Sequence, residues 1–228
     1  MTVDYKLLRL TEELLLLNRS HDARWSVQGL GMMRYYLCGG DRNQLRSLRL
    51  HIWHSKLRTP GVSTIHTHPW GFTSHVVAGR LVNQKYSLVT GEDAYPNVHP
   101  YMRQGLICGT GGHLDGDSVP VRLFSGSPST VISPGQHYSQ GAEEIHETEA
   151  MDGTITLVER RKAAEASADR AEVFWPAGHH WVSAEPRPAH KWEVVEMVDA
   201  AIVLVRSELV RLSAMEAGVR RLAPTVSL

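Results

Sequence analysis

The tightest constraint on how this chain can fold is a pair of histidines separated by one residue, His66 and His68. Side chains on a β-strand alternate between its two faces, so these two imidazoles point to the same side and can converge on one metal ion. Pro69 cannot donate a hydrogen bond to a neighbouring strand, so we expect the strand to break directly after the pair. A second, valine-rich strand is predicted from Phe72 to Leu81. The alternative interpretation is two polar residues on a solvated strand face.

A third histidine ends a second motif further along the chain. His146 follows Gly135, Gly141 and Glu143 at fixed intervals. The two stretches together resemble the paired motifs of the cupin superfamily. The first motif is His-x-His followed by an acidic residue and a glycine, and the second is a glycine followed by Pro-x-Gly-x-x-His. Gly141 stands at the usual proline and Glu143 at the usual glycine, and the resemblance covers about residues 46–160.

The cupin resemblance implies a mainly β fold, the double-stranded β-barrel or jelly roll. It also implies that His66, His68 and His146 hold a divalent metal ion. Phe72 occupies the place of the acidic ligand of the first motif, so the implied site has three neutral ligands. If Phe72 points inward, the alternation of the strand directs His75 away from the metal.

Helices are predicted at both ends of the barrel, whose core we expect at about residues 31–175 within a single domain of residues 1–228. Residues 4–18 form an amphipathic pattern with a leucine stripe that is expected to pack on the core. The stripe consists of Leu7, Leu10, Leu14 and Leu17. Residues 192–222 are predicted to form a long helix with an apolar seam from Val195 to Leu212. The seam is expected either to pack on its own barrel or to pair with a second subunit in a homodimer.

Alternation along residues 48–54 predicts a half-buried strand with its apolar residues on the core side. Those apolar residues are Leu48, Leu50 and Ile52. On this interpretation His51 and His54 are outward or packing residues and not metal ligands. Residues 91–118 are glycine-rich and aperiodic, so they are predicted to form a loop. This loop would be either a lid near the barrel mouth or an insertion with no role.

The dipeptide Asp152-Gly153 lies between two alternating runs and is the strongest hairpin signal in the sequence. It predicts that the strand after the turn pairs with the strand of His146. This pairing would direct Thr156, Val158 and Arg160 toward the barrel interior.

Three neutral imidazoles with open positions suit Fe(II), Zn, Ni or Cu, and the lack of a thiolate argues against a closed structural zinc site. The bound ion would keep its 2+ charge and favour an anionic substrate. Arg160 would bind the acidic end of such a substrate through paired hydrogen bonds. Thr156, Ser74 and Phe72 are the other predicted substrate-binding residues. No Ser-His-Asp set or carboxylate pair at useful spacing indicates hydrolysis.

The three-histidine set and the His-Pro-Trp sequence also resemble the thiol dioxygenases, cupins that use Fe(II). Those enzymes carry Ser-x-His-x-Tyr on the strand after the third ligand, where this chain has Thr156, Val158 and Arg160. The resemblance therefore implies oxygenase chemistry on a small organic acid or amino-acid-derived molecule, without cysteine-type thiol oxidation. Two other classes stay open: a Zn-, Ni- or Mn-dependent isomerase, epimerase or lyase, and a non-catalytic ligand-binding cupin.

The composition of the chain limits the kinds of partner that it can bind. The 24 basic residues equal the 24 acidic residues and form no basic stripe, so no nucleic-acid partner is expected. The leucine run near the amino terminus is too short to cross a membrane. The two cysteines, Cys38 and Cys108, form no Cys-x-x-Cys pair. That usage is typical of a reducing, cytoplasmic setting.

Overall fold

The computed structural model describes residues 4–20, 24–38, 46–90, 97–107, 113–126, 128–161, 170–182 and 185–222. Within these ranges, helices α1 (Tyr5–Asn18) and α2 (Lys191–Leu222) flank a set of β-strands. The strands are β1 (Trp25–Gln28), β2 (Leu30–Cys38), β3 (Arg46–Arg58), β4 (Ile65–His66), β5 (Gly71–Ala78), β6 (Leu81–Leu88), β7 (Val98–Ile107), β8 (His113–Phe124), β9 (Thr130–Ile132), β10 (His137–Gln140), β11 (Ile145–Ala150), β12 (Ile155–Arg161), β13 (Arg170–Pro176) and β14 (Arg187–Pro188).

The strands form two antiparallel sheets. The first sheet has the order β10-β5-β12-β3-β2-β1-β14, and the second has the order β11-β4-β13-β7-β8-β6-β9. In the second sheet β6 also pairs with β11, from Ile145 opposite Tyr86 to Ala150 opposite Leu81, so the ring of strands closes. The predicted mainly β fold with helices at both ends is confirmed.

One apolar cluster joins both helices to the first sheet. Leu8 of α1, Ile52 of β3 and Val198 of α2 are fully buried in it. Burial of aliphatic surface stabilises a fold by about 25 cal/mol per Å², so this layer is the main hydrophobic core on that side of the molecule.

The buried stripe of α1 differs from the predicted one. The buried residues are Leu8, Thr11, Glu12 and Leu15. Two members of the predicted stripe, Leu10 and Leu17, are 54% and 69% exposed. The helix carries leucines on more than one face, so periodicity alone did not select the face that packs on the core. Asp4 begins the helix by accepting a hydrogen bond from the Lys6 backbone N–H at 2.9 Å.

The apolar seam of α2 packs on the protein's own core. Its buried members include Val198, Ile202, Val205, Leu209 and Leu212. The seam is therefore covered, and the homodimer stays a prediction without this surface to support it. Of the described helices, none combines the length and apolarity that a membrane span requires.

The prediction of a loop over residues 91–118 is wrong for most of its length. Residues 98–107 and 113–118 belong to β7 and β8, which form a long hairpin that pairs Val98 with Phe124 and Ile107 with His113. The glycines that suggested a loop include Gly105 and Gly116, which lie inside these strands. Residues 91–96 and 108–112 of the predicted loop lie outside the described residues.

The predicted hairpin at Asp152-Gly153 is also wrong. The strand before it, β11, pairs with β4 and β6 of the second sheet. The strand after it, β12, pairs with β3 and β5 of the first sheet. The turn is therefore a corner that carries the chain between the sheets, and local turn chemistry does not specify which strands lie on either side of it.

Strand β3 is buried on both faces. Leu50 and Ile52 lie on the core side, as predicted, and the structure shows that they share their cluster with both helices. Arg49 and His51 alternate with them, line the barrel interior and are only 4% and 6% exposed. The half-buried strand and the outward position of His51 are wrong, because the helices cover the outer face and leave the polar residues inside. The alternative that was left open, a packing residue, fits His51, whose ring centroid lies 6.4 Å from that of Trp53.

Candidate metal centre

Strand pairing brings the three predicted ligands together. His66 lies on the two-residue strand β4, directly opposite His146 of β11. Two residues later the chain leaves the sheet, and the Glu143 backbone N–H donates to the carbonyl oxygen of His68 at 2.8 Å. That bond fixes His68 beside the second motif, although His68 and His146 are far apart in sequence.

Glu143 stands where the cupin motif has glycine, and it adopts a left-handed backbone conformation with φ of 65°. Non-glycine residues seldom adopt this conformation, because the side chain crowds the backbone. The preference for glycine at this motif position therefore has a direct backbone cause. Glu143 meets the same requirement at some conformational cost.

The need for glycine at position 79 of the first motif has a steric cause as well. Its φ is 82° and a Cβ atom there would lie 2.4 Å from Oγ1 of Thr154. That hydroxyl accepts a hydrogen bond from the Arg80 backbone N–H and donates one to the Arg80 carbonyl, both at 3.1 Å. Only glycine fits at this junction of β5 and the corner before β12.

The three imidazoles lie close enough to share one ion. One ligand nitrogen from each of His66, His68 and His146 lies within 4.8 Å of the other two. The ring centroids are 4.7 Å apart for His66 and His68, 4.7 Å for His66 and His146, and 5.1 Å for His68 and His146. The described residues of this group include no carboxylate or thiolate.

Backbone carbonyls fix the tautomers of two of these rings. Nδ1 of His66 lies 2.8 Å from the Thr64 carbonyl oxygen, and Nδ1 of His146 lies 3.2 Å from that of Glu144. A carbonyl only accepts, so each Nδ1 carries the proton and donates it. Nε2 of each ring is then left with a free lone pair, as a metal ligand requires.

Burial keeps the three rings neutral. It lowers the pKa of His146 to about 3, with the neighbouring His66 as a further cause. Burial also lowers the pKa of His66, and it moves the pKa of His68 well below the usual range of histidine. Neutral imidazole is the form that binds metal, so this donor set fits a first-row divalent ion with open positions left for other ligands.

Aromatic rings surround the triad. Trp70 stacks on His68 with ring centroids 4.2 Å apart and an interplanar angle of 18°. Phe72, at the place of the usual acidic ligand, is buried with its ring centroid 5.3 Å from that of His68 and 5.8 Å from that of His146. The triad therefore has an apolar side formed by an indole and a phenyl ring.

The triad opens into a cavity of about 320 Å³, a size typical of small-molecule sites. Of the predicted substrate-binding residues, Phe72, Ser74 and Arg160 line this cavity. Thr156 is buried but is not part of the cavity wall, and its hydroxyl accepts a hydrogen bond from Nε1 of Trp53 at 3.2 Å. His75 is exposed and lies beside His137, with ring centroids 5.2 Å apart.

A cluster of arginines on the same wall was not predicted from the sequence. Arg34 of β2 and Arg49 of β3 line the cavity together with Arg160. The Cζ atoms of Arg34 and Arg49 each lie 4.9 Å from the ring centroid of Tyr36. The Cζ atoms of Arg49 and Arg160 lie 5.0 and 5.7 Å from the centroid of Trp70. Cation–π contacts of this kind stabilise a buried guanidinium without neutralising it.

The positive charges of the arginines lower the pKa values of neighbouring groups. Burial lowers the pKa of Arg49 to about 9, and the adjacent Arg34 and Arg160 charges act in the same direction while Tyr36 opposes them. Arg49 is therefore still a cation at neutral pH. The pKa of His51 falls well below its usual range because of burial and the charges of Arg49 and Arg34. His51 is neutral on the wall.

Tyr138 is a second residue that sequence reasoning missed. It lines the cavity, its ring centroid lies 5.7 Å from that of Phe72, and its hydroxyl lies 3.4 Å from Oγ1 of Thr148. Burial raises the pKa of Tyr138. The register of β10 against β5 places it opposite Ser74. Alternation along His137–Gln140 predicts an inward Tyr138 only when β5 is known to be the partner strand.

No family model and no curated protein matches the sequence. Several solved structures are similar to this chain at low identity and low TM-score. A cupin-like protein from Thermotoga maritima is 9% identical with a TM-score of 0.35, over 70% of this chain and 80% of that one. The DMSP lyase DddQ from Ruegeria pomeroyi is 13% identical with a TM-score of 0.34, over 67% of this chain and 54% of that one. The hydroquinone 1,2-dioxygenase PnpCD, in complex with Cd2+ and 4-hydroxybenzonitrile, is 16% identical with a TM-score of 0.32, over 54% of this chain and 62% of that one.

Proposed function

We propose that this protein is a metal-dependent enzyme acting on a small anionic organic molecule, and that it is a non-haem Fe(II) oxygenase. The observation that carries the proposal is the triad of His66, His68 and His146. Its three neutral rings present nitrogen atoms within 4.8 Å of one another beside a cavity of about 320 Å³. Zn, Ni or Mn are the alternative ions, since three imidazoles bind several first-row metals.

A ferrous ion held by the three histidines would supply open positions where the substrate acid and oxygen meet. The residues of the chain would do the rest. Arg160 would hold the acidic end of the substrate by paired hydrogen bonds, and the Ser74 hydroxyl would donate a further bond. Phe72 and Val158 would exclude water from the site, which favours oxygen chemistry over hydrolysis. The substrate class is a small organic acid or an amino-acid-derived acid.

Tyr138 favours a second candidate function. A buried phenol on the cavity wall is suited to donate a proton to a substrate, and proton transfer is what a metal-dependent isomerase, epimerase or lyase requires. In that enzyme the ion would act as a Lewis acid and oxygen would take no part. A ligand-binding protein without turnover is the third alternative.

The experiment that separates these functions measures oxygen consumption. The protein is purified without oxygen, loaded with Fe(II) and mixed with a panel of small organic and amino acids in a sealed oxygen electrode. We expect one acid to produce oxygen uptake in proportion to product formed, and none with the Zn-loaded protein. Full turnover under nitrogen with Zn or Ni would replace the oxygenase with the isomerase or lyase, and Tyr138→Phe should then abolish it.

Three broader expectations stay predictions: a single domain over residues 1–228, a homodimer and a cytoplasmic location. Light scattering at high protein concentration tests the dimer directly. Since the seam of α2 is covered, a dimer would need a different surface.

A further inference from the structure

Arg34 and Arg49 place two guanidinium groups on one wall of the cavity. The described residues that line the cavity include no Asp or Glu. Among the described residues, Arg34 and Arg49 form no ion pair, and Nε of each is buried without a hydrogen-bond partner. Arg49 is 4% exposed. Burying a charge without a partner is unfavourable, so proteins that retain such charges generally use them to bind an opposite charge.

Arg34 and Arg49 are held in place by an aromatic ring, and no acid in the described part of the chain pairs with them. Tyr36 lies opposite Arg49 in the pairing of β2 with β3, and the Cζ atoms of Arg34 and Arg49 both lie 4.9 Å from its ring centroid. Stacking on a ring face leaves the N–H groups at the edge of the guanidinium plane available. The planar fork of arginine suits carboxylate and phosphate oxygens in a paired arrangement.

Arg34 and Arg49, which we call the arginine wall, lie a short distance from the triad. The ring of Trp70 stacks on His68 at 4.2 Å and also contacts the guanidinium of Arg49 at 5.0 Å. One indole ring therefore contacts both Arg49 and a proposed metal ligand. A small molecule can contact both regions within a cavity of about 320 Å³.

We propose that Arg34 and Arg49 form a subsite for a second anionic group of the substrate. The substrate is then a small acid with two anionic groups, one held beside the triad and Arg160 and the other held by Arg34 and Arg49. The binding of the first group beside the triad rests on the proposed function. The binding of the second group rests on Arg34 and Arg49 alone. The second group is a carboxylate or a phosphate-type oxyanion, which share the geometry that the arginine fork recognises.

The test compares ligands that differ by one charge. Malonate, succinate and glutarate are titrated calorimetrically into the Fe(II)-loaded protein under nitrogen, each beside its monoamide, and 3-phosphonopropionate is titrated beside succinate. We expect at least one diacid to bind about 10- to 100-fold more tightly than its monoamide, the effect of a charged hydrogen-bond pair. Tighter binding of the phosphonate than of succinate would identify a phosphate-type group, and the reverse would identify a carboxylate.

Variants assign that preference to the subsite. Arg34→Met and Arg49→Met should each reduce the ratio of diacid to monoamide affinity to below about 3-fold, since one charged pair is lost. Arg58→Met, at the exposed end of β3, should leave the ratio unchanged. The lysine variants of Arg34 and Arg49 keep the charge and should keep an intermediate ratio, which reports on the subsite if a methionine variant does not fold. Equal binding of diacid and monoamide by the native protein, or a ratio that survives in both methionine variants, overturns the proposal.

Metal removal separates this proposal from the proposed function. If the metal holds the first anionic group, removing the metal should weaken the binding of both the diacid and the monoamide. The ratio between their two affinities should stay the same. If metal removal changes neither affinity while the arginine variants still abolish the ratio, the metal role fails and the anion subsite stands.

Discussion

The two faces of strand β3 are equally buried but are made of opposite kinds of residue. Toward the helices, Leu50 and Ile52 of β3 are 3% and 0% exposed. Toward the cavity, Arg49 and His51 of the same strand are 4% and 6% exposed. On the helix face, burial removes apolar surface from water and stabilises the fold. On the cavity face, burial desolvates a charge and an imidazole and works against stability. Depth in the molecule therefore does not distinguish a core from a site, whereas the chemistry of the buried groups does.

Truncating the helix face should give the largest loss of stability. Ile52→Ala removes a fully buried side chain from the cluster shared by β3, α1 and α2. We expect the free energy of unfolding to fall by about 2–5 kcal/mol, since a cavity remains where the side chain was. Chemical denaturation measures this loss. Val203→Ala, on the 65% exposed outer side of α2, is the control and should change stability by less than about 0.5 kcal/mol. A loss below about 1 kcal/mol for Ile52→Ala would mean that the helices are not firmly packed there.

The cavity face should make stability depend on pH. The pKa of His146 is about 3 because of burial, whereas the ordinary value is 6.5. Between these values the unfolded chain binds a proton that the folded chain does not, so stability is lost as pH falls below the ordinary value. The metal-free protein should lose about 1.4 kcal/mol per pH unit from this residue between pH 6 and pH 4.

His146→Gln should remove that share of the slope. Denaturant unfolding of the metal-free protein and of this variant at pH 6, 5 and 4 gives the comparison. Ile52→Ala should leave the slope of the native chain unchanged, because no titrating group is lost on the helix face. Parallel slopes for the native chain and His146→Gln would show that the imidazole is not held neutral by burial.

Removing the charge from the cavity face should have the smallest effect, with the opposite sign to truncation of the core. In Arg49→Met the chain no longer desolvates a guanidinium, but it loses contacts with the rings of Tyr36 and Trp70. We expect the free energy of unfolding to stay the same or to rise by up to about 2 kcal/mol. A loss greater than about 1 kcal/mol would show that the ring contacts of Arg49 stabilise the fold by more than the burial of its charge costs.

The sequence predicted the three histidines that the structure brings together. Strand alternation put His66 and His68 on one face, whereas His146 was implied by the resemblance to the cupin motifs. Alternation along β5 put Phe72 and His75 on opposite faces, as the structure has them. Arg160 does line the cavity, but its inward position was predicted from a pairing of its strand with that of His146 that the fold does not contain. The neutral state of the rings was also predictable in kind, although its cause, burial beneath Trp70 and Phe72, required the fold.

The arginine wall was not predictable in the same way. Alternation along β3 correctly separated Leu50 and Ile52 from Arg49 and His51, but it does not say which face is solvated. The assignment required knowing that α1 and α2 cover the outside of the sheet. The prediction of a hairpin at Asp152-Gly153 was wrong for a related reason. A turn signal depends on local residues, whereas the partner strands of β12 depend on the whole fold.

The central claim is that His66, His68 and His146 bind one metal ion, and metal content tests it most directly. Protein loaded with Fe(II) without oxygen and then freed of unbound ion is analysed for metal per chain, beside His146→Ala and His75→Ala. His75 is the matched control, because it is an exposed histidine on the neighbouring strand β5. The account predicts about one ion per chain in the native protein and in His75→Ala, and a near-complete loss in His146→Ala, because two imidazoles hold such ions far less tightly than three. Full metal occupancy in His146→Ala would contradict it.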